Sequence, residues 1–172
     1  MINQLNCRRR ISPLILAIVV AICVLSGCSG KDDKMAAQLT ASEVGEQIMQ
    51  AVDLEAMREG DQEKLQKLYK LDLDGVEDFI LYTSTSNVKA DEWAVIKLKD
   101  PHEAEAVKKK VEARINEQKA KFRDYRPDEY FLVENHVLKV KGPFVFIAVS
   151  KEADRMGEAF DDALTQGGSS GN

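Results

Sequence analysis

Glu92-Trp93-Ala94-Val95-Ile96-Lys97-Leu98-Lys99 is the stretch that decides the fold. Trp93, Val95 and Lys97 alternate with Ala94, Ile96 and Leu98, and an alternating run rich in aromatic and β-branched residues predicts a strand. Phe144-Val145-Phe146-Ile147-Ala148-Val149-Ser150 repeats that character and is apolar nearly throughout. Each run is preceded by another strand candidate, residues 79–85 and residues 134–141, and each is followed by an acidic helical segment. The order strand, strand, helix therefore occurs twice. It predicts an α+β fold, a four-stranded antiparallel sheet with the two long helices on one face, preceded by one or two short helices. Duplication and convergence on a common strand pattern both account for the match.

The helices are legible from their caps and spacing. Asp100-Pro101 gives an N-cap oxygen followed by proline, and Ala104, Val107, Val111, Ile115, Gln118 and Phe122 then recur every three or four residues. Pro127 disfavours helical geometry at Arg126, so this helix should end near Tyr125. Upstream, Thr40 or Ser42 can cap a helix with Val44, Ile48, Ala51 and Val52 on one side, and Asp61 a shorter one with Leu65 and Leu68. Asp72-Leu73-Asp74-Gly75 reads as a turn, and Gly142-Pro143 links the last two strands. Proline is unusual at the second place of a two-residue loop, so a wider loop is also open. A final helix over residues 152–164 presents Ala153, Met156, Ala159, Phe160 and Ala163 together.

The N-terminal stretch addresses location. Arg8-Arg9-Arg10 precedes an apolar run from Ile11 to Leu25 that ends in Leu25-Ser26-Gly27-Cys28. A basic start, a short apolar core and small residues before a cysteine are the parts of a lipoprotein export signal, with cleavage between Gly27 and Cys28 and lipid on the Cys28 thiol. The run falls short of the roughly 20 residues needed to span a bilayer as a helix. The chain then divides into a signal peptide, residues 1–27; the lipidated cysteine and a flexible tether, residues 28–40; one α+β domain, residues 41–165; and a disordered tail, residues 166–172. Two acyl chains on Cys28 meet the requirement for stable anchoring.

Charge and cysteine count exclude whole classes of function. Removing residues 1–27 lowers Lys+Arg from 24 to 21 against 29 Asp+Glu, so the mature chain carries a net charge near −8. A surface of that sign is repelled by polyphosphate backbones and anionic headgroups, which excludes nucleic acid and leaves the lipid on Cys28 as the membrane contact. Cys7 and Cys23 lie in the discarded segment and Cys28 is taken by lipid. The mature domain thus has no disulfide, thiolate nucleophile, zinc thiolate site or iron–sulfur cluster.

The two histidines, His102 and His136, form no paired imidazole motif, and no nucleophile elbow, phosphate-binding glycine loop or calcium loop occurs. Asp72, Asp74, Glu77 and Asp78 gather around Gly75 without the alternating register of calcium ligands. Lys108-Lys109-Lys110 lies among Glu105, Glu112 and Glu117 and reads as a salt-bridged solvent face. Trp93, at a strand start, reads as core or rim. No catalytic residue, metal ligand or cofactor is expected. The stretch Phe122-Arg123-Asp124-Tyr125-Arg126-Pro127-Asp128-Glu129-Tyr130 is the most unusual, because aromatics interleave with both charges. Tyr125, Arg126 and Tyr130 are the candidate partner-binding residues, since tyrosine and arginine supply contact area and forked hydrogen bonds. The alternative reading folds the aromatics back over the core edge.

Cys28 in its signal, Asp91-Glu92-Trp93-Ala94-Val95-Ile96-Lys97, Glu117-Gln118-Lys119 running to Phe122, Tyr125-Arg126-Pro127 and Gly142-Pro143-Phe144-Val145-Phe146-Ile147-Ala148-Val149-Ser150 together resemble the lipoproteins of Gram-positive bacteria that carry domain of unknown function 4358. The resemblance implies a small extracytoplasmic lipoprotein on the outer face of the cytoplasmic membrane. It supplies no reaction, and only Cys28 receives a role from it. The expected function is a non-catalytic binding module at the cell envelope with an envelope or membrane protein as partner. A small-ligand or cation receptor for a membrane transporter, and a hydrolase using carboxylates alone, are the other readings.

Overall fold

The structure, a computed structural model, describes residues 38–53 and 56–166. Gly27, Cys28, the signal peptide, most of the tether and residues 167–172 lie outside the described residues. In chain order the elements are α1 (Ala41–Ala51), β1 (Met57–Glu59), α2 (Gln62–Tyr69), a 3-10 turn (Leu73–Gly75), β2 (Val76–Ser84) and β3 (Glu92–Leu98). A 3-10 turn (Pro101–Glu103) then leads into α3 (Ala104–Phe122), followed by α4 (Pro127–Glu134), β4 (Val137–Lys141), β5 (Phe144–Val149) and α5 (Ala153–Gln166).

The local signals act as chemistry requires. Thr40 caps α1 in a full capping box with Glu43, each side chain bonding the other residue's backbone N–H. Asp61 caps α2 through Lys64 N–H. The buried residues of α3 are Ala104, Val107, Val111, Ile115, Gln118 and Phe122, the stripe that the spacing predicts. Gly142 has φ +55° in a two-residue loop, because Lys141 pairs directly with Phe144. A glycine at positive φ in the first place and a proline at negative φ in the second suit a type II′ hairpin, so the loop stays tight.

All strands join one antiparallel sheet in the order β1-β2-β3-β5-β4. This corrects the expected sheet from four strands to five. The added strand, Met57–Glu59, is three residues long and mostly exposed, so no apolar alternation announces it. It forms because Ala56, at φ 59°, turns the chain so that Met57, Arg58 and Glu59 pair with Ser84, Thr83 and Tyr82.

The placement of the long helices is also corrected, from one face to opposite faces. Ala94, Ile96, Leu98, Val145, Ile147 and Val149 form one core with α2, α3 and α4. Trp93, Val95, Phe144, Phe146 and Ala148 form a second core with α1 and α5, where Phe146 and Phe160 stack at 4.9 Å. The physical reason lies in the strands. Every residue of β3 and of β5 is buried, and a strand apolar on both faces demands cover on both. Two long helices on one side would leave Trp93 and Phe146 to the short α1 alone.

The same geometry limits the internal repeat. Aligned positions such as Trp93 and Phe144 do face the same core, but α3 and α5 do not. A rotation relating the two halves through the sheet would put both helices on one face, so the likeness ends with the strands. At the β4 edge, Lys139 lays its stem across α5 at Gly157 and its ammonium meets Gly157 O and Asp161, while Lys141 reaches Thr165 at 3.2 Å. No helix among the described residues is long and apolar enough to cross a membrane.

Candidate functional site

The stretch Phe122 to Tyr130, in which no helix is expected beyond Tyr125, turns a corner and enters α4 at Pro127. Pro127 occupies the first turn and Asp128 and Glu129 follow it at the positive end of the helix dipole, so the proline that ends α3 also starts α4. That pairing of signals was available in the sequence and marks the helix. Tyr125 is 54% exposed at the corner, its ring tilted against Phe122 at 6.3 Å. Arg126 approaches Glu129 at 3.6 Å. Tyr130 is half-buried against the core and donates its hydroxyl to Glu134 at 2.9 Å. Tyr125 and Arg126 therefore share the surface corner, and Tyr130 belongs to the core edge.

Glu129 is the hub of this corner. It is 1% exposed, accepts from Ala90 N–H at 2.8 Å and pairs with Lys89 at 2.8 Å. Burial works to raise its pKa, but the bonds from Lys89 and Ala90 and the charges of Lys89 and Arg126 together hold it below the usual value. Lys121 donates to Asn87 O at 2.7 Å, so α3 and α4 both grip the β2–β3 loop.

Beside it lies a buried polar network that no sequence pattern announces. Glu92 opens β3 facing α3 and is 3% exposed. Its carboxylate accepts from Tyr69 Oη at 2.9 Å, Arg114 Nη2 at 2.8 Å and Gln118 Nε2 at 2.9 Å. Arg114 and Gln118 stand one helical turn apart on α3, and Tyr69 closes α2, so one carboxylate joins three elements. Burial, then the Glu92 charge, pushes the Tyr69 hydroxyl well above its ordinary range and keeps it a donor. Desolvation opposes the Arg114 charge, yet the hydrogen bond and attraction of Glu92 prevail and its pKa is raised. With Arg114 Nε also 3.3 Å from both of its oxygens, the Glu92 carboxylate is fully engaged in holding the three elements together.

The remaining sequence candidates disperse. Asp72 caps the 3-10 turn through Asp74 N–H, Glu77 pairs with Lys97 at 2.8 Å and Asp78 accepts from Ser42 N–H at 3.1 Å. Among the described residues no group of His, Cys, Asp and Glu is arranged to hold a metal ion. Lys108 reaches Glu105 at 3.8 Å, and Lys110 donates to Lys70 O at 3.0 Å. His136 Nδ1 lies 2.8 Å from Val133 O, which places the proton on that nitrogen. Trp93 is fully buried and stacks on Tyr82 at 5.1 Å.

A family model, Domain of unknown function (DUF4358), matches residues 50–150, which contain the whole sheet and the Glu92 and Glu129 networks. No curated protein and no solved structure matches the chain.

Proposed function

From the premise that the chain belongs to the DUF4358 family, we propose that it is a lipoprotein anchored through Cys28 to the outer face of the cytoplasmic membrane, whose domain is a non-catalytic binding module for an envelope or membrane protein. The observation that carries this reading is the exposure of Tyr125 beside Arg126 at the α3–α4 corner. Val88 on the β2–β3 loop and Tyr125 at the α3–α4 corner, which Glu129 and Lys121 tie together, are 41% and 54% exposed, and Phe131 further along α4 is 63% exposed. Single exposed apolar residues are ordinary on a protein surface. An exposed tyrosine beside an arginine has the composition of an interface centre.

The saturation of Glu92 and the ties on Glu129 support a binding role over carboxylate catalysis, because both buried acids are already committed to holding elements together. The membrane anchor rests on the sequence around Cys28.

Crosslinking and affinity capture from the native membrane test the reading. The full-length chain should retain a membrane or envelope protein that the Tyr125→Ala, Arg126→Ala double variant does not. Equal recovery of the same partner by the variant would remove the corner from the interface.

A further inference from the structure

Next to the Glu92 network, between the β2–β3 loop, α2 and α3, lies a cavity of about 150 Å³. Its walls reverse the sign of the chain, whose formal net charge is −5. Four cations line it, Lys64, Lys89, Arg114 and Lys121, against two acids, Asp91 and Glu92. Arg114 is spent on Glu92, and Lys89 on Glu129. Lys64 donates to the hydroxyl of Thr83, and Lys121 donates to the carbonyl of Asn87 and lies 4.7 Å from the centre of the Phe122 ring. Two ammonium groups thus line one cavity without a carboxylate partner among the described residues.

Two acceptors stand there as well. Gln118 gives its amide nitrogen to Glu92, which leaves Oε1 buried with no hydrogen-bond partner. A buried acceptor without a partner is costly, so a donor that fills it is favoured. Asp91 lines the same cavity and has no ion-pair partner among the described residues. Burial, then the charge of Glu129, raises its carboxyl above the ordinary value, which a cation brought close would offset.

We infer that this cavity binds a small zwitterion, a molecule of the α-amino acid class with a short side chain, its carboxylate toward Lys64 and Lys121 and its ammonium toward Asp91 and Gln118 Oε1. Size agrees with the chemistry. A cavity of about 150 Å³ admits a molecule of roughly six heavy atoms, as the benzene-binding cavity of that volume does. The inference does not rest on Tyr125 or Arg126, neither of which lines the cavity.

The probes are L-alanine and isobutyrate, which share shape and carboxylate and differ by an ammonium in place of a methyl. They are titrated into the full-length chain in detergent, with the Gln118 side-chain amide resonances as readout. L-alanine should shift these resonances saturably below ~10 mM, and isobutyrate should bind about tenfold more weakly or worse. Lys64→Ala with Lys121→Ala, and separately Asp91→Asn, should each weaken alanine binding by about tenfold while leaving the circular dichroism spectrum unchanged. Equal affinity for the two probes would overturn the zwitterion assignment. Absence of saturation, or alanine binding unchanged in these folded variants, would overturn the site.

Discussion

Glu129 on α4 accepts the backbone N–H of Ala90 at 2.8 Å, a bond across 39 residues that fixes the β2–β3 loop to the far side of the α3–α4 corner. The bond ties the corner's stability to one carboxylate. Because the folded protein holds Glu129 below its ordinary value of 4.5, the unfolded chain binds the proton first as acid is added. The stabilisation is complete above that value and is lost as pH falls through the folded pKa. Glu129→Gln should therefore lower the urea midpoint at pH 7, and the gap to the parent protein should narrow steadily below about pH 4.5. A gap of equal size at pH 7 and pH 3 would show that the charge contributes nothing.

Glu92→Ala removes the acceptor shared by Tyr69, Arg114 and Gln118. Breaking one side of a buried pair costs about 3–5 kcal/mol, and the partial exposure of Arg114 places the expected loss near the lower end. Denaturant unfolding would measure it. A loss under about 1 kcal/mol would mean that the three donors find water instead.

The corner and the core edge should separate on mutation. Tyr125→Ala with Arg126→Ala should cost less than about 1 kcal/mol, since surface contacts contribute little to folding. Tyr130→Ala should cost about 1–2 kcal/mol, through lost packing and the bond to Glu134. The reverse order in thermal or urea unfolding would exchange their roles.

The two cores can be probed independently. Ile147 is 1% exposed and faces α3, and Ile147→Ala should cost about 2–4 kcal/mol. On the other face, a Cβ at Gly45 would meet Ile80 Cγ2 at 2.7 Å, so Gly45→Ala should push α1 off the sheet at about 1–3 kcal/mol. Equilibrium unfolding with no loss for Gly45→Ala would show that Ile80 yields by changing rotamer.

Cys28→Ala should abolish lipidation, because only the thiol accepts the lipid and the apolar run is short for a span. Labelling with a radioactive fatty acid, followed by membrane fractionation, checks it. Normal label in the variant would end the lipoprotein reading.

Elements with strong local chemistry were legible in the chain. The alternation in β3, the six-residue stripe of α3 and the caps at Thr40 and Asp61 all stand where spacing and hydrogen-bonding chemistry place them. Features set by tertiary neighbours were not. Strand β1 exists through pairing with Tyr82, Thr83 and Ser84, and its own residues carry no signal. The opposite placement of α3 and α5 was implied by β3 and β5 being apolar on both faces, which outweighs the regularity of a repeated order. In the candidate site, Tyr125 and Arg126 stand out in the sequence because aromatics and charges interleave there. Glu92, Arg114 and Gln118 could not, since an acid at a strand start and two polar residues on a helix look solvated until the sheet brings them together.

The edges of the sheet bear on how the chain meets a second copy of itself. An open β ladder is a template for further strands, and long, flat, apolar edges invite endless stacking. Here one edge is the three-residue β1, and the other, β4, sets Lys139 against Asp161 and Lys141 against Thr165. Another chain seeking to extend the ladder would meet a short ledge on one side and a five-residue strand carrying two lysines on the other. Both edges are therefore poor templates for fibrous self-assembly.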